Sequence, residues 1–273
     1  GNNVINYTAG TIGSINMAGT GSARIDSATV VTTGSQTYNN LTANINTVLT
    51  GVGIAINGTA NSETATARSL SLQAGTGTLT LGGVIGAVNP ILNFTANNSA
   101  GTNGITISNN ITTTGTITLA AGGNLSLASG SLSANAGAAN VTLSSATGSV
   151  TETAGTINGN LLTVNAVTGI TLGTANTITS FNATNTTSGN VSLTDAGTTD
   201  ITGVTQTGGN FSLTTTGAIT QSGTISVSGT SSFTTGGAAI TLSTATNDFT
   251  GAVSLANTGA ANEVTIRDVN AIV

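Results

Sequence analysis

The chain has 273 residues, of which 4% are charged: three Lys or Arg against eight Asp or Glu, a net charge of −5. It contains no His and no Cys, and Arg24, Arg68 and Arg267 are its only bases. These counts exclude disulfides, histidine general bases and cysteine nucleophiles, and they disfavour nucleic acid or an anionic membrane surface as a partner. No run of 18 apolar residues is present to span a bilayer, and no signal peptide opens the chain, so an exported protein would be represented here by a mature or internal segment.

In chain order the sequence is a series of short apolar alternations set between Gly, Asn, Ser and Thr. Leu70-Ser-Leu72, Ile105-Thr-Ile107, Ile117-Thr-Leu119 and Leu125-Ser-Leu127 are followed by Val141-Thr-Leu143, Ile170-Thr-Leu172 and Val191-Ser-Leu193. Phe211-Ser-Leu213, Ile240-Thr-Leu242, Val253-Ser-Leu255 and Val264-Thr-Ile266 complete the series. Alternation of this kind marks a strand with one buried face, and the residues between are turn formers. Leu172, Leu193 and Leu213 are almost evenly spaced, which sets the length of one structural repeat.

A longer period overlies the short one. Leu70-Ser-Leu72, Val141-Thr-Leu143 and Phe211-Ser-Leu213 recur about every 70 residues and read as one element. Thr8-Ala-Gly-Thr-Ile12 returns letter for letter as Thr153-Ala-Gly-Thr-Ile157, with a variant at Gln221-Ser-Gly-Thr-Ile225 and a degenerate copy at Gly82-Gly-Val-Ile85. The pattern predicts an all-β fold, a right-handed parallel β-helix of roughly 12 coils with 20–24 residues each, about three coils to a cassette. The cassettes fall near 8–80, 81–152, 153–220 and 221–273, within one continuous solenoid over 1–273. Leu70, Leu72, Val141, Leu143, Ile170, Leu172, Phe211, Leu213, Ile240 and Leu242 are the expected inward stack. The five Phe and Tyr38 read as core fillers rather than a sugar-stacking platform.

No group of residues converges on chemistry. Asp195 and Asp200, the closest acid pair, are expected on opposite sides of a bend rather than astride a glycosidic bond. Asp195 recurs as Asp268 in Val191-Ser-Leu-Thr-Asp195 and Val264-Thr-Ile-Arg-Asp268, which reads as a turn former. Arg24 and Asp26 read as a surface pair. The expectation is no enzyme, no cofactor and no metal, since the calcium-loading Gly-Gly-x-Gly-x-Asp repeat does not occur. Twelve Asn-x-Ser/Thr sites arise from composition, and several of them, Asn124 and Asn190 among them, fit a turn before a strand. Thr116-Ile-Thr118, Thr177-Ile-Thr179 and Thr184-Asn-Thr186 are too scattered for the regular Thr rows of an ice-binding β-helix.

Gly34-Ser-Gln-Thr-Tyr-Asn-Asn40, Gly217-Ala-Ile-Thr-Gln-Ser-Gly-Thr-Ile225 and the run from Ala238 to Gly259 resemble the repeats of filamentous-haemagglutinin-like bacterial surface adhesins. The resemblance is clearest over residues 100–273. It implies a secreted β-helical stalk at the cell surface, in a family whose adhesive specificity often lies outside the repeats. The repeat pattern runs from Val4 and Thr8 to the final Ala-Ile-Val without a charged or Pro-rich cap, so the expected partner is self, stacked head to tail, or a host or neighbour surface ligand. The expected function is an extracellular rod or filament. A carbohydrate-binding or carbohydrate-cleaving β-helix is the alternative, with ice binding behind it.

Overall fold

The structure is a computed structural model describing residues 3–7, 10, 12–64, 66–259 and 262–272. Among these residues the chain forms 29 strands and a single 3-10 turn, Asn135–Gly137. The strands wind into a solenoid of about 12 coils, strands of one coil pairing in parallel with their counterparts in the next, with one interruption described below. Three faces are distinguishable. The first carries Ile105–Ile107, Leu125–Leu127, Val150–Glu152, Val191–Asp195, Phe211–Thr215, Ser231–Thr235 and Val253–Asn257. The second carries Ile111–Thr113 and Leu132–Ala134, and the third Ile91–Asn97, Ile117–Ala121 and Val141–Ser145. The long strand Ile170–Asn185 runs round all three. Val, Ile, Leu and Phe fill most inward positions while most Ser and Thr face out, so one face of the strands between the terminal coils is largely dry.

Leu172, Leu193 and Leu213 stack directly on the first face. The longer period behaves differently. Leu70 pairs with Phe94, Phe94 with Ile117 and Ile117 with Val141, so Leu70 and Val141 share a column three coils apart. Ile85 and Ile157 are likewise three coils apart, through Ile111 and Leu132. Phe211 does not continue the Val141 column, which passes instead through Leu162, Phe181 and Ile201. The cause is coil length. Coils are longer from Leu70 through Phe94 and Ile117 to Val141 than from Val141 through Leu162 and Phe181 to Ile201. A cassette of constant length therefore overshoots three of the later coils and delivers Phe211 to the first face. Ile225 shifts with it, onto the third face with Val204. The copy at Thr8-Ala-Gly-Thr-Ile12 lies largely outside the described residues.

All ten residues of the expected stack are buried, at 0–1% exposure. So are Tyr38 and the five Phe. Phe233 meets Phe211 and Phe249 edge-on, with centroids 5.5 and 6.0 Å apart, a geometry that suits the ring quadrupoles. The Tyr38 hydroxyl donates to Gln36 Oε1 at 2.8 Å, and burial raises its pKa. Ser231, an inward polar residue, sits between Phe211 and Val253, 1% exposed, its hydroxyl without a partner. Ser231→Ala is therefore expected to stabilise the fold, by about 1 kcal/mol in chemical denaturation, because it removes a desolvated, unpaired hydroxyl.

The ladder breaks once on the first face. Leu79–Leu81 pairs back with Ile54–Ile56, and Ile105–Ile107 pairs forward with Leu125–Leu127, but the two strands do not pair with each other. An opening of about 440 Å³ separates them, floored by Leu79 and Leu81. Asn103 and Asn109 tie the margins by donating to the carbonyls of Thr76 and Gly82 at 3.0 and 3.1 Å.

Candidate functional site

A triangular coil must turn three corners, and the backbone groups of a corner that point inward need partners. Buried polar side chains supply them. Asn185 Nδ2 donates to the carbonyls of Ser188 and Gly189 and to Gln206 Oε1 in the next coil, while its Oδ1 accepts from Gly169 N. Gln206 Nε2 donates to the carbonyls of Gly189 and Asn210. Gly189 sits at φ +78°, and a Cβ there would overlap the Thr168 carbonyl, so only glycine fits this turn. Four other corner residues share one device. Asn176, Asp195, Asn247 and Asp268 each accept, through Oδ1, a backbone N–H from one coil earlier: that of Ile157, Ile178, Ile225 and Phe249 respectively.

Two of the buried polar groups are acids. Asp195, 1% exposed, also accepts from Gly197 N and Thr199 Oγ1 at 3.0 Å. Asp200, five residues on, faces outward and accepts from Thr220 and Ser222, so the two carboxylates do not converge. Glu152, 5% exposed, accepts through Oε2 from Asn176 Nδ2 at 3.0 Å and Thr174 N at 3.2 Å, while its Oε1 has no partner. Burial raises the pKa of both acids against the pull of these hydrogen bonds. A raised folded-state pKa favours the folded form fully below the unfolded value, about 4 for a carboxyl, and that contribution is lost as pH climbs through the folded pKa. Thermal melts should therefore show Glu152→Gln gaining on the parent as pH rises from acid to neutral. A difference independent of pH would contradict the assignment.

On the surface, asparagines form a second set of caps. The Oδ1 atoms of Asn93, Asn110, Asn124, Asn190 and Asn210 accept the N–H of Thr116, Ser131, Ser149, Asn210 and Thr230, each one coil on, at 2.9–3.0 Å. These are Asn-x-Ser/Thr sites, and their asparagines bridge coils before a strand. One cluster of charge lies near the start of the solenoid. Arg24 Nε lies 3.1 Å from Asp26 Oδ1 and 2.8 Å from Glu63 Oε2, close enough for ion pairing though aligned with neither as a hydrogen bond. Beside this trio runs an open groove of about 390 Å³, bordered by Asn40, Thr42, Asn61, Glu63 and the exposed Val88. Among the described residues no three His, Cys, Asp or Glu side chains group closely enough to hold a metal ion, and no helix is long and apolar enough to cross a membrane.

The later coils coincide with a known sequence family. Residues 188–256 match a family described as repeats of unknown function (DUF5649). The matched segment begins just before Val191–Asp195 and ends within Val253–Asn257, so it spans coils with regular first-face pairing. No curated protein and no solved structure matches the chain.

The residues expected from sequence to form the inward stack lie on the first and third faces, as packing rather than chemistry. Asp195 is a turn former, as its recurrence with Asp268 implies, but it performs that role from inside the solenoid. Reading by sequence missed Glu152 and Asn176. Their signal was faint: each occupies a position where the inward alternation of a strand carries past its last apolar residue into a corner.

Proposed function

We propose that the chain is a structural rod, a stalk segment of a secreted bacterial surface protein that holds adhesive or matrix contacts away from the cell. The stack itself is the observation that supports this reading. Parallel ladders join coil to coil, a continuous apolar column fills the centre, and carboxamides secure the corners. Such a body transmits load along its axis through many small contacts. The Ser, Thr and Asn exterior keeps it hydrated, and three arginines leave few sites for trypsin-like proteases. The resemblance to filamentous-haemagglutinin-like repeats supports the extracellular placement. The rod does this work without cofactor, metal or catalysis. Self-association or contact with a neighbouring surface is its partner chemistry.

The test is antibody labelling of the bacteria that produce the protein. Label on intact cells, removed by surface digestion with a protease of broad specificity, is the expected result. Label that appears only after permeabilisation would contradict the surface assignment.

A further inference from the structure

The outward positions of the first face form rows that the sequence conceals. One row runs from Thr106 through Thr151 and Ser192 to Ser254, with a hydroxyl residue in each of eight successive coils. A second row, two residues on, holds Thr194, Thr214, Thr234 and Ala256. A third precedes them with Asn190, Asn210 and Thr230. The Thr triplets that looked scattered in the sequence hid this order, because Ser and Thr alternate along the rows and only the register aligns them. No outward residue of these rows is charged, although the chain carries −5. The acids nearest the face, Glu152 and Asp195, point inward. Asp200, by contrast, is outward on another face.

We infer that this face is a lateral interface for a second copy of the chain, so that rods pair side by side. Three physical features select that occupant. Like-charged rods repel least where they present no charge, and the first face stays neutral through all eight coils, whereas the sheet of the third face carries Asp200 outward. Relief is low: no side chain larger than Asn stands on the rows, so two sheets can close to about 10 Å and interleave identical residues, as stacked in-register sheets do. The area is sufficient. Seven steps of about 4.8 Å give ~34 Å of length along the central row, and the flanking rows widen the later coils to ~20 Å, so the face offers at most ~700 Å² per copy. Specific, stable interfaces bury about 600–1,000 Å² per partner, and this face falls in the lower part of that range. Hydroxyls give up hydration to pair, so the association is weak for one segment and grows with the number of coils.

The inference goes beyond the stalk reading and can fail separately from it. X-ray scattering on the purified chain over a wide concentration range reads mass, cross-section and length together. The expected result is a twofold rise in mass with a widened cross-section at constant length. Ser212→Lys with Ser232→Lys, placed in the central row, should hold the chain at single mass with unchanged circular dichroism. Thr142→Lys with Thr163→Lys, on the third face, should pair as the parent does. Single rods at every concentration, rods that lengthen without widening, or pairing indifferent to the Ser212 and Ser232 charges would each overturn the inference and leave the stalk standing. Freezing-point hysteresis from unpaired rods would overturn it in favour of ice as the occupant. Compact globules would overturn both readings.

Discussion

Phe233→Ala should cost about 3–5 kcal/mol of unfolding free energy, the range for truncating a buried aromatic side chain. The ring is fully buried, stacks between Leu213 and Leu255 in the ladder, and meets Phe211 and Phe249 edge-on. Truncation removes the transfer energy of the ring and leaves a void that neighbours close poorly, since Phe211 and Leu213 are pinned by ladders above and below. Phe233→Leu keeps most of the volume, and Leu already occupies the same column one coil to either side, so its cost should be about 1–2 kcal/mol. Urea unfolding of the three proteins checks both figures. Equal costs for Ala and Leu would mean the ring does not fill the interior as described.

Asn176→Leu is expected to be as damaging, about 3–5 kcal/mol, although it makes the interior more apolar. Asn176 is fully buried and serves four groups at once. It accepts from Ile157 N at 2.7 Å and donates to Glu152 Oε2 and to the carbonyls of Thr174 and Thr194 at 3.0–3.2 Å. Leucine has a similar volume and satisfies none of them, so a carboxylate loses a donor and three backbone groups lose partners in a dry corner. Because part of the loss falls on Glu152, Asn176→Leu should be milder in a Glu152→Gln background. A double-mutant cycle should return a coupling of about 1–3 kcal/mol. Additive effects would show that the two side chains do not share an interaction.

The reach of the sequence has a physical boundary. Alternation of apolar residues with Ser and Thr is imposed locally by the pleat, so Ile170-Thr-Leu172 and Val191-Ser-Leu193 could be read as strands and stacked correctly from their spacing alone. Equivalence from one cassette to the next is not local. It accumulates the length of every intervening turn, and a slight shortening of each coil was enough to move Phe211 and Ile225 to other faces while Leu70 and Val141 stayed aligned. Corners were the least legible. Whether Asn185, Asn176 or Glu152 points in or out depends on where the chain bends, and Gly, Asn, Ser and Thr permit a bend at several neighbouring positions. The neutral rows of the first face were hidden for a related reason, since Ser and Thr are interchangeable only once the register places them side by side. The unpaired Leu79–Leu81 and Ile105–Ile107 strands carry the same apolar alternation as their paired neighbours and left no mark in the sequence.

The central claim is the register, one coil per step with equivalent residues stacked along a single axis. A ruler made of paired spin labels tests it most directly, and the absence of native cysteine makes the labelling unambiguous. With one label at Thr106→Cys and the other at Thr171→Cys, Ser212→Cys or Ser254→Cys, the partners lie three, five and seven coils away. Dipolar distances should rise linearly, near 14, 24 and 34 Å at about 4.8 Å per coil. Distances that fail to increase with coil number, or that level off as they would in a compact globule, would contradict the solenoid and everything built on it.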